Sequence, residues 1–130
     1  AHVGDSRVYR FRDSTLTQLT SDHSWVNEQI QSGIITPDQA RNHPLRNVVT
    51  RALGGKADLE VAFQPSNMEP GDVLLICSDG LTTMVPDEDI SLLFSESVGD
   101  VEKTARRMVD EANARGGEDN VTVLLIQFQE

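Results

Sequence analysis

Two stretches of this chain are apolar at nearly every position, and they constrain its fold more than any other feature. One is Val73-Leu74-Leu75-Ile76-Cys77, and the other covers residues 121–128. Successive side chains of a strand point to opposite faces, so a strand without polar alternation needs cover on both sides. A sheet with helices on one face and a second sheet on the other supplies that cover. Strands and helices falling in separate blocks give the class as α+β.

The remaining elements follow from local signals. Tyr9 and Phe11 alternate with Arg10 and Arg12, Asp13-Ser14 turns the chain, and Leu16 and Leu19 continue a hairpin. Asp22 is placed to cap a helix that carries Val26 and Ile30 on one face and ends at Gly33. Thr36, Pro37 and Gln39 spell the start of a second, short helix, which must stop near His43 because Pro44 follows. Residues 48–50 are expected as a short strand ending at the Gly54-Gly55 pair. A further strand is expected at 59–63, with Leu59, Val61 and Phe63 on one face. Pro86 and the acids Asp87, Glu88 and Asp89 open a helix burying Ile90, Leu93 and Phe94. A longer helix is expected at 101–115, capped by Asp100 and ended by Gly116-Gly117. Its apolar stripe is Val101, Ala105, Met108, Val109 and Ala112.

Composition narrows the partners. With 21 acidic against 11 basic residues, the formal charge is −10, which argues against nucleic acid or an anionic membrane, since both are bound through clustered Lys and Arg. No apolar run is long enough to span a bilayer, and no basic region followed by an apolar stretch marks a signal peptide. The 130 residues suffice for one domain, 1–130, and are too few for two. The single cysteine, Cys77, reads as a small core residue, in keeping with a cytoplasmic location.

Three segments pair an acid with glycine or asparagine at a strand edge: Gly4-Asp5-Ser6-Arg7, Ser78-Asp79-Gly80 and Gly116-Gly117-Glu118-Asp119-Asn120. Each alone is ordinary turn or loop composition. Position gives them meaning. Asp79 directly follows one doubly apolar strand and Asp119 directly precedes the other, so both acids emerge at the rim of the sheet. If these strands are antiparallel neighbours, the two carboxylates converge, and their repulsion is costly unless a cation neutralises it. Magnesium or manganese, which favour oxygen ligands, suit such a site.

Ala1-His2-Val3-Gly4-Asp5-Ser6-Arg7, Thr20-Ser21-Asp22-His23-Ser24, Thr50-Arg51-Ala52-Leu53-Gly54, the run from Asp72 through Ser78-Asp79-Gly80-Leu81, and Asp119-Asn120-Val121-Thr122 occur in this order. The series resembles the C-terminal half of the type 2C (PPM) serine/threonine protein phosphatases, in their compact bacterial form. That resemblance implies hydrolysis of phosphoserine and phosphothreonine in proteins, through a binuclear Mn²⁺ or Mg²⁺ centre and a metal-activated water. It implies a central antiparallel β-sandwich flanked by helices on both sides, of which only the C-terminal portion is present. Carried over, Asp79 and Asp119 match metal ligands, and Asp5 matches a residue that with Asp79 holds a third ion. Ser78, Gly80 and Asn120 adjoin those ligands. Residues from about 24 to 49 match a flap beside the active site. The implied partners are phosphorylated protein substrates, together with Ser/Thr kinases and their targets in cytoplasmic signalling.

These 130 residues depart from the family pattern in one large respect. They lack the Asp-Gly-Met-Gly-Gly-His-like segment with its bridging Asp, the phosphate-binding arginine and the proposed histidine acid. His2, His23 and His43 are poor substitutes, and His43, beside Pro44, reads as a local-packing residue. The chain by itself is expected to lack phosphatase activity. Two alternatives stand beside the enzyme: a non-catalytic regulatory or binding module of the same fold, and an acidic interaction domain whose Asp-Gly turns are only turns.

Overall fold

The strand expected at the centre is there. In the computed structural model, which describes residues 1–54, 57–63 and 65–129, β3 (Val73–Cys77) runs between β1 (Arg7–Arg12) and β4 (Val123–Gln127), antiparallel to both. β2 (Thr15–Gln18) pairs with the far side of β1, so the order is β2-β1-β3-β4. The two-residue β1–β2 connection puts Asp13 and Ser14 at φ +48° and +60°, the left-handed geometry that a tight hairpin demands.

The chain divides into two compact units, Ala1–Ser6 with Thr20–Gln64, and Arg7–Leu19 with Pro65–Glu130. The sheet belongs to the second. Pairing of Tyr9 with Leu75, Phe11 with Val73 and Cys77 with Val123 places these side chains on one face of the sheet. Three helices complete this unit: α3 (Asp79–Thr82), α4 (Asp87–Glu96) and α5 (Val101–Ala114). Their Leu81, Ile90, Leu93, Phe94, Met108 and Ala112 close the core against that face. The opposite face carries Leu124 and Ile126 at 52% and 40% exposure, and the described residues form this one sheet.

Polar contacts fix the register of the core. Arg12 grips the buried Asp72 through Nε and Nη2, at 2.8 and 2.6 Å, and holds that carboxyl down at about 2. The buried Tyr9 ring donates its hydroxyl to Asp87 Oδ1 at 2.8 Å and accepts from Arg7, tying β1 to the first turn of α4. Burial pushes that phenol well above its ordinary value. α5 is capped by Asp100, which accepts from the Lys103 N–H. Its inward line is Thr104, Met108 and Ala112. Thr104 fits there because its hydroxyl donates to the Asp100 carbonyl, whereas Ala105 is half-buried.

The first unit holds α1 (Trp25–Gln31) and α2 (Pro37–Arg41). α2 begins as expected, with Thr36 Oγ1 accepting from Gln39 N–H and Gln39 Oε1 accepting from Thr36 N–H. α1 is capped by Ser24 rather than Asp22. The strands expected at 48–50 and 59–63 reduce to single bridges, Val49 with Ser24 and Ala62 with His2. Of the apolar face expected of the latter strand, Leu59 is half-buried while Phe63 is 78% exposed. Gly55 lies outside the described residues. Among the described residues, no helix is long and apolar enough to cross a membrane.

Candidate metal centre

At the end of β3 the chain turns directly into α3, with Ser78 as its N-cap residue and Asp79 as its first residue. The start of β4 lies alongside. Pairing continues one residue beyond the last ladder pair, Cys77 with Val123, through Ser78 N–H to the Thr122 carbonyl at 3.1 Å. The Ser78 hydroxyl accepts from Thr122 N–H at 3.0 Å and donates to the Asn120 carbonyl at 3.3 Å. Gly80 completes the contact. A Cβ there would stand 2.1 Å from the Asn120 carbonyl oxygen, so only glycine lets that backbone so close.

Two acids far apart in sequence meet as a result. The side chains of Asp79 and Asp119 come within hydrogen-bonding range, and Asp119 Oδ1 also accepts from Asn120 N–H at 2.7 Å. The carboxyl of Asp79 is raised above its ordinary value, first by burial and then by the charge and hydrogen bond of Asp119. A pair of oxygen donors that resist sharing one negative site is the donor chemistry that a hard divalent cation relieves. The residues present fit such an ion. Among the described residues, no group of three or more His, Cys, Asp or Glu side chains that could hold a metal occurs.

Asp5 belongs to the first unit, in the bend after Gly4. That bend is held from both directions by one residue: Gly4 N–H donates to His23 Nδ1 at 3.1 Å, and His23 N–H donates to the Gly4 carbonyl at 2.9 Å. His23 is buried, stacks on His2 with ring centroids 4.6 Å apart, and lies 3.3 Å from Arg51 Nη1 through its Nε2. Burial, with the charges of Arg51 and His2, lowers its pKa. Sequence reasoning missed this role for His23, and no local pattern announces a histidine that reaches 19 residues back to a glycine. His43 does pack locally, as expected, against Trp25 and the Leu45 N–H. A hollow of about 340 Å³ in the first unit is lined by Thr50, Arg51, Asp58 and Glu60 among others.

An antiparallel sheet backed by helices, with a carboxylate pair at its rim, defines a class that the comparisons make explicit. In sequence and in fold the chain is similar to one half of serine/threonine phosphatases of the type 2C (PPM) kind. It is 44% identical over 126 residues to a putative protein phosphatase 2C-type of Streptococcus pyogenes, covering 97% of this chain and 51% of that protein. It is 41% identical over 130 residues to protein phosphatase PhpP of Streptococcus pneumoniae, covering all of this chain and 52% of that one. The serine/threonine phosphatase of S. agalactiae superposes with a TM-score of 0.89 at 37% identity, over 100% of this chain and 53% of its own. The catalytic domain of PstP, solved in complex with two manganese ions, gives 0.83 at 35% identity, over 99% and 52%. The chain thus spans about half the length of the relatives it matches. No protein-family model matches it.

Proposed function

We propose that residues 1–130 form the C-terminal half of a phosphatase catalytic domain that removes phosphate from phosphoserine and phosphothreonine in proteins. The observation that carries this reading is the convergence of Asp79 and Asp119 at one rim of the sheet. They are the ligands this chain offers to a Mn²⁺ or Mg²⁺ centre, with Asp5 as a ligand to a third ion. When bound, such ions polarise phosphoryl oxygens and bring a water to nucleophilic strength near neutral pH.

The part left to this chain is positional. Ser78, Gly80 and Asn120 hold the two carboxylates in place, and residues 24–49 act as a flap over the substrate. The remaining ligands, and the cation that balances charge on the phosphoryl group, come from outside the 130 residues. Phosphoproteins of a cytoplasmic kinase pathway are the substrates this reading assigns.

The test is Mn²⁺-dependent hydrolysis of p-nitrophenyl phosphate and of a phosphothreonine peptide by the intact protein. Asp79→Asn and Asp119→Asn are each expected to lower kcat/KM by about a hundredfold or more, of the order seen when an electrostatic group at a reaction centre is lost. Retention of wild-type turnover by either variant contradicts the proposal.

A further inference from the structure

A serine at the N-cap of a helix ordinarily spends its hydroxyl on the backbone N–H two or three residues ahead. Ser78 holds that position for α3 and makes no such bond. Its hydroxyl is turned across the sheet, where it accepts from Thr122 N–H and donates to the Asn120 carbonyl. A hydroxyl can do both at once, because it carries one donor and two acceptor lone pairs. With its own N–H bound to the Thr122 carbonyl, this one residue makes three hydrogen bonds to the three-residue stretch that follows Asp119.

The placement matters because these bonds lie beyond the last ladder pair, Cys77 with Val123. A strand pair is free to splay there, and two adjacent carboxylates drive it to do so. Asp119 itself is an exposed residue. Its carboxylate accepts from the next N–H in sequence, and a bond so local orients the side chain without anchoring the backbone. The anchor comes from Ser78 on one side and from the Asn120 carbonyl seated against Gly80 on the other.

We propose that Ser78 is a positioning residue for the metal centre: its hydroxyl clasps the Asp119 segment to the end of β3 and so sets the separation of the two carboxylates before an ion arrives. The proposal rests on Asp79 and Asp119 being ligands. Without the hydroxyl, the Asn120 carbonyl and Thr122 N–H lose their partner and the carboxylates drift apart. Ion capture must then work against that drift. Groups that orient metal ligands in this indirect way commonly change metal affinity by about 10–100-fold.

The experiment is calorimetric titration of Mn²⁺ into the intact, metal-stripped protein, with Ser78→Ala, Ser78→Thr and Asp79→Asn run beside wild type. Ser78→Ala is expected to raise the Kd about 10–100-fold, with the melting temperature in EDTA shifted by no more than a few degrees. Ser78→Thr, which keeps the hydroxyl on an extended backbone that tolerates β-branching, is expected to restore the Kd to within about threefold. An unchanged Kd in Ser78→Ala overturns the proposal, as does a threonine variant as impaired as the alanine one. If the alanine variant does not fold, Ser78→Cys takes its place: its weak S–H must give a Kd above that of wild type, and an unchanged value again overturns the clasp. Asp79→Asn separates the two levels. Loss of Mn²⁺ binding there with a silent Ser78→Ala sinks only the clasp, whereas undisturbed binding in Asp79→Asn sinks the ligand assignment beneath it.

Discussion

His23 accepts a hydrogen bond from the Gly4 backbone through Nδ1, and an imidazolium has no lone pair with which to do so. The fold therefore holds the ring neutral. The groups around it pull unequally: burial, Arg51 and His2 lower its pKa, while Asp22 and Glu60 raise it more weakly. The sign follows. The folded value lies below the ordinary 6.5 of the unfolded chain, so folded protein binds fewer protons in that window and stability falls as pH drops through it. Protection of the Gly4 amide against hydrogen exchange is expected to be full above about pH 7 and to decline below 6.5. His23→Asn, whose side-chain oxygen can stand where Nδ1 stands, is expected to abolish that pH dependence while retaining protection at pH 7.

Among the elements, β1 and β3 are joined beyond their ladder by Arg12 and Asp72. The Arg12 hydrogen bonds are the largest cause of the depressed Asp72 carboxyl, against burial, which opposes them. A carboxylate at about 2 in the fold and 3.8 in the unfolded chain stabilises above pH 4, and that contribution is lost as pH falls toward 2. Arg12→Met removes the dominant cause and leaves burial in charge, which raises the carboxyl, so the pH dependence of urea unfolding is expected to reverse, stability rising as pH drops through about 4. Asp72→Asn is expected to flatten it.

How far elements were legible depended on whether their signal was local. The capping box of α2 lies within four residues, and it formed as written. Val73–Cys77 was legible because five consecutive apolar residues leave few alternatives to a central strand. Residues 48–50 and 59–63 carried the same β-branched and alternating composition, yet each found a single bridging partner. Alternation records a preference for a covered face, and whether cover exists is decided elsewhere in the chain. The cap of α1 moved two residues for a similar reason: His23 is drawn onto Gly4, and the helix begins only after it, on Ser24.

For the molecule as a whole, the site divides along the same line. That Asp79 and Asp119 close on one rim could be argued from two strands and their ends alone. The seating of the Asn120 carbonyl over Gly80, and the diversion of the Ser78 hydroxyl from its helix, could not, since both depend on the register between β3 and β4. The sheet face bearing Leu124 and Ile126 fits the same picture: strands apolar on both sides, with helices over one of them. A chain that spans about half of its relatives and brings two carboxylates to one rim of its sheet is, under the proposed function, one part of a composite centre.

The measurement that reaches this claim most directly is anomalous diffraction from crystals of the intact protein grown with Mn²⁺. The account predicts a manganese peak with carboxylate oxygens of both Asp79 and Asp119 at coordination distance, about 2.1 Å for ions of this kind. Manganese bound elsewhere, with these two side chains uncoordinated, contradicts it.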